Sequence, residues 1–345
     1  MIDSTEFWAS EYKLGGFRFD LMGLHDLTTM SEIADNLHDN VNESVVVYGE
    51  PWTGGTSPLP TNQSAAQSSL AKYGDYGQFN DQLRDALIKG GMKGATELGW
   101  ATNCTKVSKA DAKIVINGIK GMTKTNVTDP TKSVQYVTCH DNYTLYDRFV
   151  ATNKFKVDGA QNDELIAKGA LFANSVVFAS QGISFMLAGE EFLRTKGGNH
   201  NSYNATYKVN ELDYSLKVKY LDMFESYQKL IALRQNEGLF VKDGNAIATD
   251  VIVESNTSMS MIVVRIHDTV GNKEYIYVLK NGFEDAESGL DLSSYSLYLS
   301  TLGTAESTIK AAGYQVQPYE TIIMSRTYDA TAFETPIEFI TADAE

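Results

Sequence analysis

Short apolar segments alternate with helical segments through residues 1–238, and this alternation restricts the possible folds more than any other feature of the sequence. The apolar segments at residues 15–20 and 45–50 each end in a carboxylate, and buried strands are also predicted at residues 135–140 and 183–188. Helices are predicted at residues 28–41, 82–89, 163–180 and 217–234. Because buried strands that alternate with helices are typical of a parallel sheet covered on both faces, this part of the chain is predicted to have an α/β fold.

The pattern changes near Gly238. From residue 245 to residue 327 apolar and polar side chains alternate at period two, as in residues 260–266, and Gly, Asn and Asp occupy the intervening turns. This pattern predicts antiparallel strands that bury one face each, arranged as a β-sandwich. We therefore expect two domains, an α/β domain at residues 1–238 and an antiparallel β domain at residues 239–345.

The chain is acidic, with 29 Lys and Arg against 44 Asp and Glu and a formal net charge of −15. Because this charge repels nucleic acid and anionic membrane surfaces, neither is expected as a partner. No stretch approaches the roughly 18 uninterrupted apolar residues of a membrane span. With 43% hydrophobic residues, the chain can bury a sizeable core, and we expect a soluble globular protein.

Polar residues stand where three of the predicted strands end. Asp20, Glu50 and the pair His140 and Asp141 follow apolar runs, and Arg18 faces the same side of its strand as Asp20. Any one of these carboxylates could simply cap the helix that follows it. Because the carboxyl ends of parallel strands meet at one edge, however, the whole set is better explained as a functional site.

Retaining glycoside hydrolysis requires an ionised carboxylate as nucleophile and a protonated carboxylic acid beside it. Asp20 suits the nucleophile because Arg18 can hold it ionised, and Glu50 suits the acid because apolar neighbours favour its protonated form. Their carboxyl groups should then lie about 5–5.5 Å apart. Aromatic side chains that could stack on sugar rings stand nearby in the sequence, namely Tyr48, Trp52, Tyr143 and Tyr203.

Other chemistries find little support. Apart from His25-Asp26 and His140-Asp141 there is no closely spaced set of metal ligands, and Cys104 is too far from Cys139 for a CxxC site. The sequence also lacks the Gly-x-Ser-x-Gly elbow of serine hydrolases and any glycine-rich phosphate loop. We therefore predict no cofactor and no metal in the site; calcium is possible but is not indicated by the sequence.

Three segments resemble signature regions of the α-amylase superfamily, in the form found in type I pullulanases. They are Gly-Phe-Arg-Phe-Asp-Leu-Met-Gly-Leu-His-Asp (residues 16–26), Tyr-Gly-Glu-Pro-Trp-Thr-Gly-Gly (48–55) and Tyr-Val-Thr-Cys-His-Asp-Asn (136–142). Residues 78–86, 188–196 and 199–204 are also similar to sequences of pullulanases and related debranching enzymes. The resemblance covers nearly the whole chain.

The resemblance implies a role for each residue at the strand ends. Asp20 is implied as nucleophile, Glu50 as acid/base, Asp141 as transition-state stabiliser, Arg18 as support of the nucleophile and His140 as a ligand of sugar hydroxyls. Further substrate contacts are expected from Trp52, Asn142, Asn201 and Tyr203.

The implied activity is hydrolysis, with retention, of α-1,6 branch linkages in pullulan, amylopectin or limit dextrins. Two alternatives stay open, an α-1,4-acting amylase or neopullulanase-like enzyme and a non-catalytic protein that binds α-glucan. The compartment, cytoplasmic or secreted, also stays open.

In the family, the Arg-x-Asp segment lies on the fourth barrel strand, but few residues precede it here, and Gly16 stands where the family usually has Asp. The resemblance therefore implies a carboxyl-terminal fragment with strands four to eight of a (β/α)8 barrel, followed by the antiparallel β domain. Because such a half barrel has open edges, we expect little or no activity from the chain alone and association through those edges.

Overall fold

The computed structural model describes residues 1–72, 74–90, 96–123, 129–236, 238–240 and 242–342. Its first half is built on a five-stranded parallel sheet with the order β1-β2-β3-β4-β7, beside which β5 and β6 form a short antiparallel hairpin. The strands are β1 (Gly16–Phe19), β2 (Val46–Gly49), β3 (Gly77–Phe79), β4 (Ser133–Gln135), β5 (Lys156–Val157), β6 (Ala160–Gln161) and β7 (Ile183–Ser184).

Helices connect these strands. They are α1 (Ile2–Tyr12), α2 (Leu27–Asn40), α3 (Asp81–Ile88), α4 (Lys109–Ile119), α5 (Leu145–Ala151), α6 (Asp163–Ala179), α7 (Tyr207–Asn210), α8 (Leu216–Lys219) and α9 (Leu221–Arg234). Nearly every side chain of α6 between Ile166 and Ala179 is buried, as its apolar sequence predicts. Among the described residues no helix is both long enough and apolar enough to cross a bilayer.

Several predicted limits were wrong. Strand β4 ends at Gln135, and the apolar residues that follow it, such as Tyr136 and Val137, are buried without belonging to a strand. An apolar run reports burial, and here the backbone leaves the sheet while its side chains stay in the core. Strand β7 is also shorter than the predicted buried strand at residues 183–188, where residues 183–187 are only half-buried and Ala188 is exposed. The helix predicted at residues 217–234 is interrupted at Tyr220, where the backbone is not helical.

The second half contains a five-stranded antiparallel sheet with the order β11-β12-β10-β9-β8. Its elements are α10 (Gly244–Asp250), β8 (Val251–Ser255), β9 (Met261–Asp268), β10 (Lys273–Lys280), β11 (Ser296–Ser300), α11 (Glu306–Ile309), β12 (Thr321–Thr327) and α12 (Ala330–Glu334). The prediction of strands from residue 245 was wrong over α10, which Asp243 caps by accepting hydrogen bonds from the backbone of Asn245 and Ala246.

The antiparallel sheet buries both faces. Ile262 and Val264 of β9 pack toward the first half of the molecule, in a cluster that includes Phe172 of α6. Their neighbours Met261 and Val263 pack on the opposite face. Beyond that face, isolated bridges join Gly289 to Gln315 and to Ile340. The prediction that each strand buries one face was wrong for β9 and β10, because their second face also lies in a core, against the parallel half.

Trp100, in the segment between α3 and α4, joins the two sheets. Its buried indole N–H donates to the carbonyl of Met259 at 2.8 Å, and its own carbonyl accepts from the Asn281 side chain at 3.3 Å. The ring also lies 5.4 Å from the ring of Phe172. One large side chain thus links a loop of the parallel half to the antiparallel sheet.

Candidate active site

The pairing of β1 with β2 places Asp20 beside Glu50. Phe19 pairs with Gly49 in parallel register, so the residues that follow the two strands leave the same edge of the sheet. A Cβ atom at Gly49 would lie 2.6 Å from the carbonyl oxygen of Phe19 and 2.8 Å from Met22, which explains a glycine at this position. The close approach of the two backbones therefore brings the two carboxylates together.

Arg18 lies between these carboxylates. Its Nη1 donates to Oδ1 of Asp20, and its Nη2 donates to Oε1 of Glu50. Burial lowers the pKa of Arg18, but Glu50 and Asp20 raise it, and the net pKa lies above the usual value. The guanidinium thus stays charged and bridges the two carboxyl groups.

Glu50 and Asp20 differ in exposure. The side chain of Asp20 is 65% exposed, whereas that of Glu50 is 2% exposed. Oε2 of Glu50 accepts a hydrogen bond from the backbone N–H of Leu21 at 2.8 Å. Glu50 is thus buried, as expected from its apolar neighbours, but it shares the cation that the sequence assigned to Asp20 alone.

His140 connects these residues to Asp141. Its Nε2 lies 3.8 Å from Oδ1 of Asp20 and 3.5 Å from Oδ1 of Asp141, and all three side chains are largely exposed. The two residues stand in the loop between β4 and α5, some way beyond the end of the strand. The structure therefore brings together Arg18 and the residues predicted as the catalytic carboxylates.

An oxygen of Asp20, an oxygen of Glu50 and a ring nitrogen of His140 lie within 4.8 Å of one another. A cluster of this kind could hold a cation, but the guanidinium of Arg18 already supplies positive charge to both carboxylates. One oxygen of Asp20 and one oxygen of Glu50 are therefore close enough to contact the same small ligand.

The residues predicted to contact substrate lie at different distances along the chain from this cluster. Trp52 is half-buried beside the aromatic cluster of Phe79, and its carbonyl oxygen accepts from the N–H of Gly23 at 3.1 Å. Asn142 directly follows Asp141 and has a φ of 64°. Within the described residues, no hydrogen bond or ion pair joins Trp52, Asn142, Asn201 or Tyr203 to the three carboxylates.

Asn201 and Tyr203 are exposed and lie in the segment that follows Lys196. This segment reaches the loop of Asp141 through His200, whose ring lies 5.5 Å from that of Tyr143. The structure therefore puts both residues in a loop that contacts the site without placing either of them in it.

Two buried ionisable residues behind the cluster were not predicted to have a role. Glu190 accepts hydrogen bonds from the hydroxyl of Thr138 and from Asn174, and Lys196 donates to the carbonyl oxygen of His140 at 2.6 Å. Both lie in the segment at residues 188–196, whose resemblance to debranching enzymes was the only signal that could have drawn attention to them.

Comparisons with known proteins agree with this geometry. Pullulanase of Bacillus subtilis is 31% identical over 243 residues, which are 69% of this chain and 32% of that protein. The structure of pullulanase from Bacillus acidopullulyticus, at 32% identity, superposes with a TM-score of 0.79 and covers 94% of this chain and 39% of its own. Pullulanase from Anoxybacillus sp. LM18-11, complexed with maltotriose, is 27% identical with a TM-score of 0.79 and covers 94% of this chain and 44% of its own. No family model matches the chain.

This chain thus spans less than half the length of these three relatives. It belongs to the pullulanase group of the α-amylase superfamily of glycoside hydrolases, as the signature segments imply.

Proposed function

We propose that the chain carries the catalytic carboxylates of a retaining glycoside hydrolase that cleaves α-1,6 branch linkages in pullulan, amylopectin or limit dextrins. The observation that carries this proposal is the pair Asp20 and Glu50, which end neighbouring parallel strands and share the guanidinium of Arg18. The relatives named as pullulanases support the linkage.

In this mechanism the exposed Asp20 attacks the anomeric carbon, and Glu50 protonates the departing glycosidic oxygen. Water then hydrolyses the glycosyl ester on Asp20, with Glu50 acting as base. Arg18 holds the Asp20 carboxylate in place for attack, while His140 and Asp141 stabilise the sugar ring through its hydroxyls and its developing positive charge. Because Glu50 also contacts Arg18, it must separate from the guanidinium and take up a proton from solvent before it can transfer one.

We propose that the contacts to the rest of the glucan come from Trp52, Asn142, Asn201 and Tyr203. Trp52 and Tyr203 offer aromatic faces on which sugar rings can stack, and the two asparagines offer amide groups for hydroxyls. Tyr203 is the most exposed of these side chains, so it suits an outer position on the glucan chain.

We also propose that β1 to β4 and β7 correspond to strands four to eight of a (β/α)8 barrel. The proposed domain boundary lies between residues 238 and 239, and the bridged segments around Gly289 form the second layer of a sandwich over the antiparallel sheet. Because five strands cannot close such a barrel, we expect little or no hydrolysis by residues 1–345 alone.

The test is the release of maltotriose from pullulan by purified residues 1–345, with the Bacillus subtilis relative assayed in parallel. We expect a rate far below that of the relative, abolished by Glu50→Gln and unchanged by Glu43→Gln, which alters an exposed glutamate. A rate equal to that of the relative would show that five strands suffice. Linear maltohexaose serves as the α-1,4 substrate, and preferential cleavage of it would favour the amylase-like alternative.

A second measurement does not require turnover. An α-glucose-configured cyclitol epoxide should form an ester with Asp20, which peptide mass spectrometry would detect. We expect labelling of Asp20 to fall in Glu50→Gln, because the acid assists opening of the epoxide. Binding of branched glucan without any labelling of Asp20 would instead favour a non-catalytic glucan-binding protein.

The edge strands β1 and β7 support self-association, since each pairs with only one neighbour in the parallel sheet. A groove beside β7 is lined by apolar side chains that include Phe178, Met186 and the exposed Ile231. We expect light scattering during size-exclusion chromatography to give a mass above the 38.0 kDa of one chain. A concentration-independent mass of one chain would contradict the proposal.

A further inference from the structure

Two loops on the carboxyl side of the sheet are joined behind the candidate site. The first, between β4 and α5, holds His140 and Asp141, and the second follows β7 and holds Glu190 and Lys196. Glu190 and Lys196 are both buried, and both contact the first loop. Among the described residues, neither forms a direct hydrogen bond with the carboxylates of the candidate site.

Lys196 makes the contact nearest to the site. Its side chain is buried, and its Nζ donates to the carbonyl oxygen of His140 at 2.6 Å. Burial lowers the pKa of Lys196 and the nearby Arg194 lowers it further, whereas Asp141, Cys139 and Asp147 raise it. The ammonium group thus lies close enough to Asp141 to attract its carboxylate.

The backbone at Lys196 fixes the far end of the same loop. Its N–H donates to Oδ2 of Asp147 at 2.8 Å, and the hydroxyl of Thr195 donates to Oδ1 of the same carboxylate. Asp147 is buried in the first turn of α5 and also accepts from Thr144 at 2.9 Å. Residues 195 and 196 therefore contact the chain on both sides of Asp141, at His140 in the loop and at Asp147 in α5.

We propose that Lys196 is a positioning residue for the reaction, which fixes the backbone of His140 and orients the His140 and Asp141 side chains toward Asp20. The inference rests on the proposed function, since it assigns a task within the same site. Lys196 acts through its hydrogen bond to the carbonyl oxygen of His140, which directly precedes Asp141. It also acts through the attraction between its ammonium group and the carboxylate of Asp141. It has no part in bond making.

Cys139 offers a measurement that is independent of turnover. Its side chain is buried next to His140, burial raises its pKa, and it receives a backbone hydrogen bond from Asp141. The other cysteine, Cys104, is partly exposed and can be replaced by serine. The reaction of Cys139 with a disulfide reagent then reports how often the loop of Asp141 opens.

The experiment compares Lys196→Met and Lys196→Arg with the parent in the Cys104→Ser background, with Lys208→Met as control for loss of an exposed lysine from a neighbouring segment. We expect Lys196→Met to raise the modification rate of Cys139 by about tenfold or more, because the loop opens more often. Lys196→Arg, which keeps the cation, should stay within about threefold of the parent, and Lys208→Met should not differ from it. Circular dichroism would establish that all variants are folded.

The His140 ring provides the second readout. Its NMR resonances, assigned among those of the five histidines by their loss in His140→Gln, should move in Lys196→Met and stay nearly unchanged in Lys196→Arg. If Lys196→Met moved the His140 resonances only through a general loss of packing, Lys196→Arg would move them as well. Unchanged Cys139 reactivity and unchanged His140 resonances in a folded Lys196→Met variant would overturn the proposal.

Kinetics separate this inference from the proposed function. Where hydrolysis of pullulan is measurable, Lys196→Met should lower kcat by about tenfold or more and leave KM within about threefold. A parent chain that neither hydrolyses glucan nor labels at Asp20 would contradict the proposed function. The Cys139 and His140 measurements would still decide whether Lys196 holds the loop.

Discussion

The charged residues of the two sheets contrast sharply. At the edge of the parallel sheet, Asp20 and Asp141 are more than half exposed, and their hydrogen-bonding capacity is largely free for a ligand. In the antiparallel sheet, Glu274 is 0% exposed and is bound by Arg326, whose Nε and Nη2 lie 2.7 and 2.6 Å from its Oε2. Tyr295 donates to the other oxygen at 2.6 Å. The second arrangement leaves nothing for a substrate.

This difference teaches how to distinguish a structural from a reactive carboxylate in one molecule. Glu274 lies near the start of β10 and is surrounded by its own donors, which offset the cost of burying its charge. Glu50 is buried to a similar extent, but it shares Arg18 with an exposed carboxylate at the end of a strand. Burial alone therefore does not set Glu50 apart from Glu274; the exposed carboxylate that shares its cation does.

The largest effect should come from replacing one buried carboxylate and not the other. Where residues 1–345 hydrolyse pullulan at a measurable rate, Glu50→Gln should lower that rate by about 10²–10⁴-fold, because the amide cannot transfer the proton. Glu274→Gln should leave the rate per folded molecule unchanged. Reducing-end assays on protein corrected for its folded fraction would measure both, and an equal loss of activity would remove the distinction between the two glutamates.

The free energy of unfolding should depend more on Glu274 than activity does. Glu274→Gln should lower the free energy of unfolding by about 3–5 kcal/mol, because the buried Arg265 and the half-buried Arg326 then lack their full negative partner. The exposed pair between Glu306 and Lys310 provides the control, for which Glu306→Gln should cost less than about 0.5 kcal/mol. Urea unfolding of both variants tests this, and similar midpoints would contradict it.

Glu190 should make stability depend on pH. Burial raises its pKa from 4.5 to about 8, so the folded chain keeps a proton that the unfolded chain releases near pH 4.5. The stability that this proton contributes is complete below pH 4.5 and is lost as the pH rises to about 8. Relative to Glu190→Gln, the unaltered chain should lose up to about 1.4 kcal/mol per pH unit in that window. A parallel dependence in both proteins would contradict this, and Glu164→Gln, on exposed α6 surface, serves as control.

The smallest effect is expected at the rim of the site. Tyr203 is 80% exposed, so Tyr203→Ala should leave the free energy of unfolding nearly unchanged while weakening maltotriose binding by about 1 kcal/mol through lost stacking. Tyr207, which is 73% exposed, provides a matched control that should not affect binding. Titration calorimetry would measure both, and equal affinities of the two variants would remove Tyr203 from the site.

The local sequence pattern predicted strands and helices well where the apolar residues are both buried and part of a regular element. The strands before Asp20 and Glu50 and the long helix α6 lie where their apolar patterns indicate. The end of β4 could not be predicted, because apolar residues continue into the core after the backbone has left the sheet. Helix α10 was missed because capping by Asp243 outweighs a weak apolar pattern.

The candidate site was predictable only in part for a related reason. Residues that directly follow parallel strands can be predicted from the sequence to lie at one edge of the sheet. Asp20 and Glu50 were predicted in this way. Partners brought together by loops could not be inferred, since no periodicity joins residue 140 to residue 196 or residue 138 to residue 190. The sharing of Arg18 by two carboxylates likewise depends on how its side chain crosses between neighbouring strands.

The position of Trp100 has a consequence for how the chain is made. Its two hydrogen bonds to the antiparallel sheet join residues that are 159 and 181 positions apart in the sequence. During synthesis the parallel half leaves the ribosome with this indole uncovered until β9 and β10 have been translated. Contacts between residues so far apart in the sequence slow folding. Trp100 is covered only when the antiparallel sheet packs onto the parallel half. Early termination of translation before residue 259 would therefore leave a large aromatic surface open to chaperones and proteases.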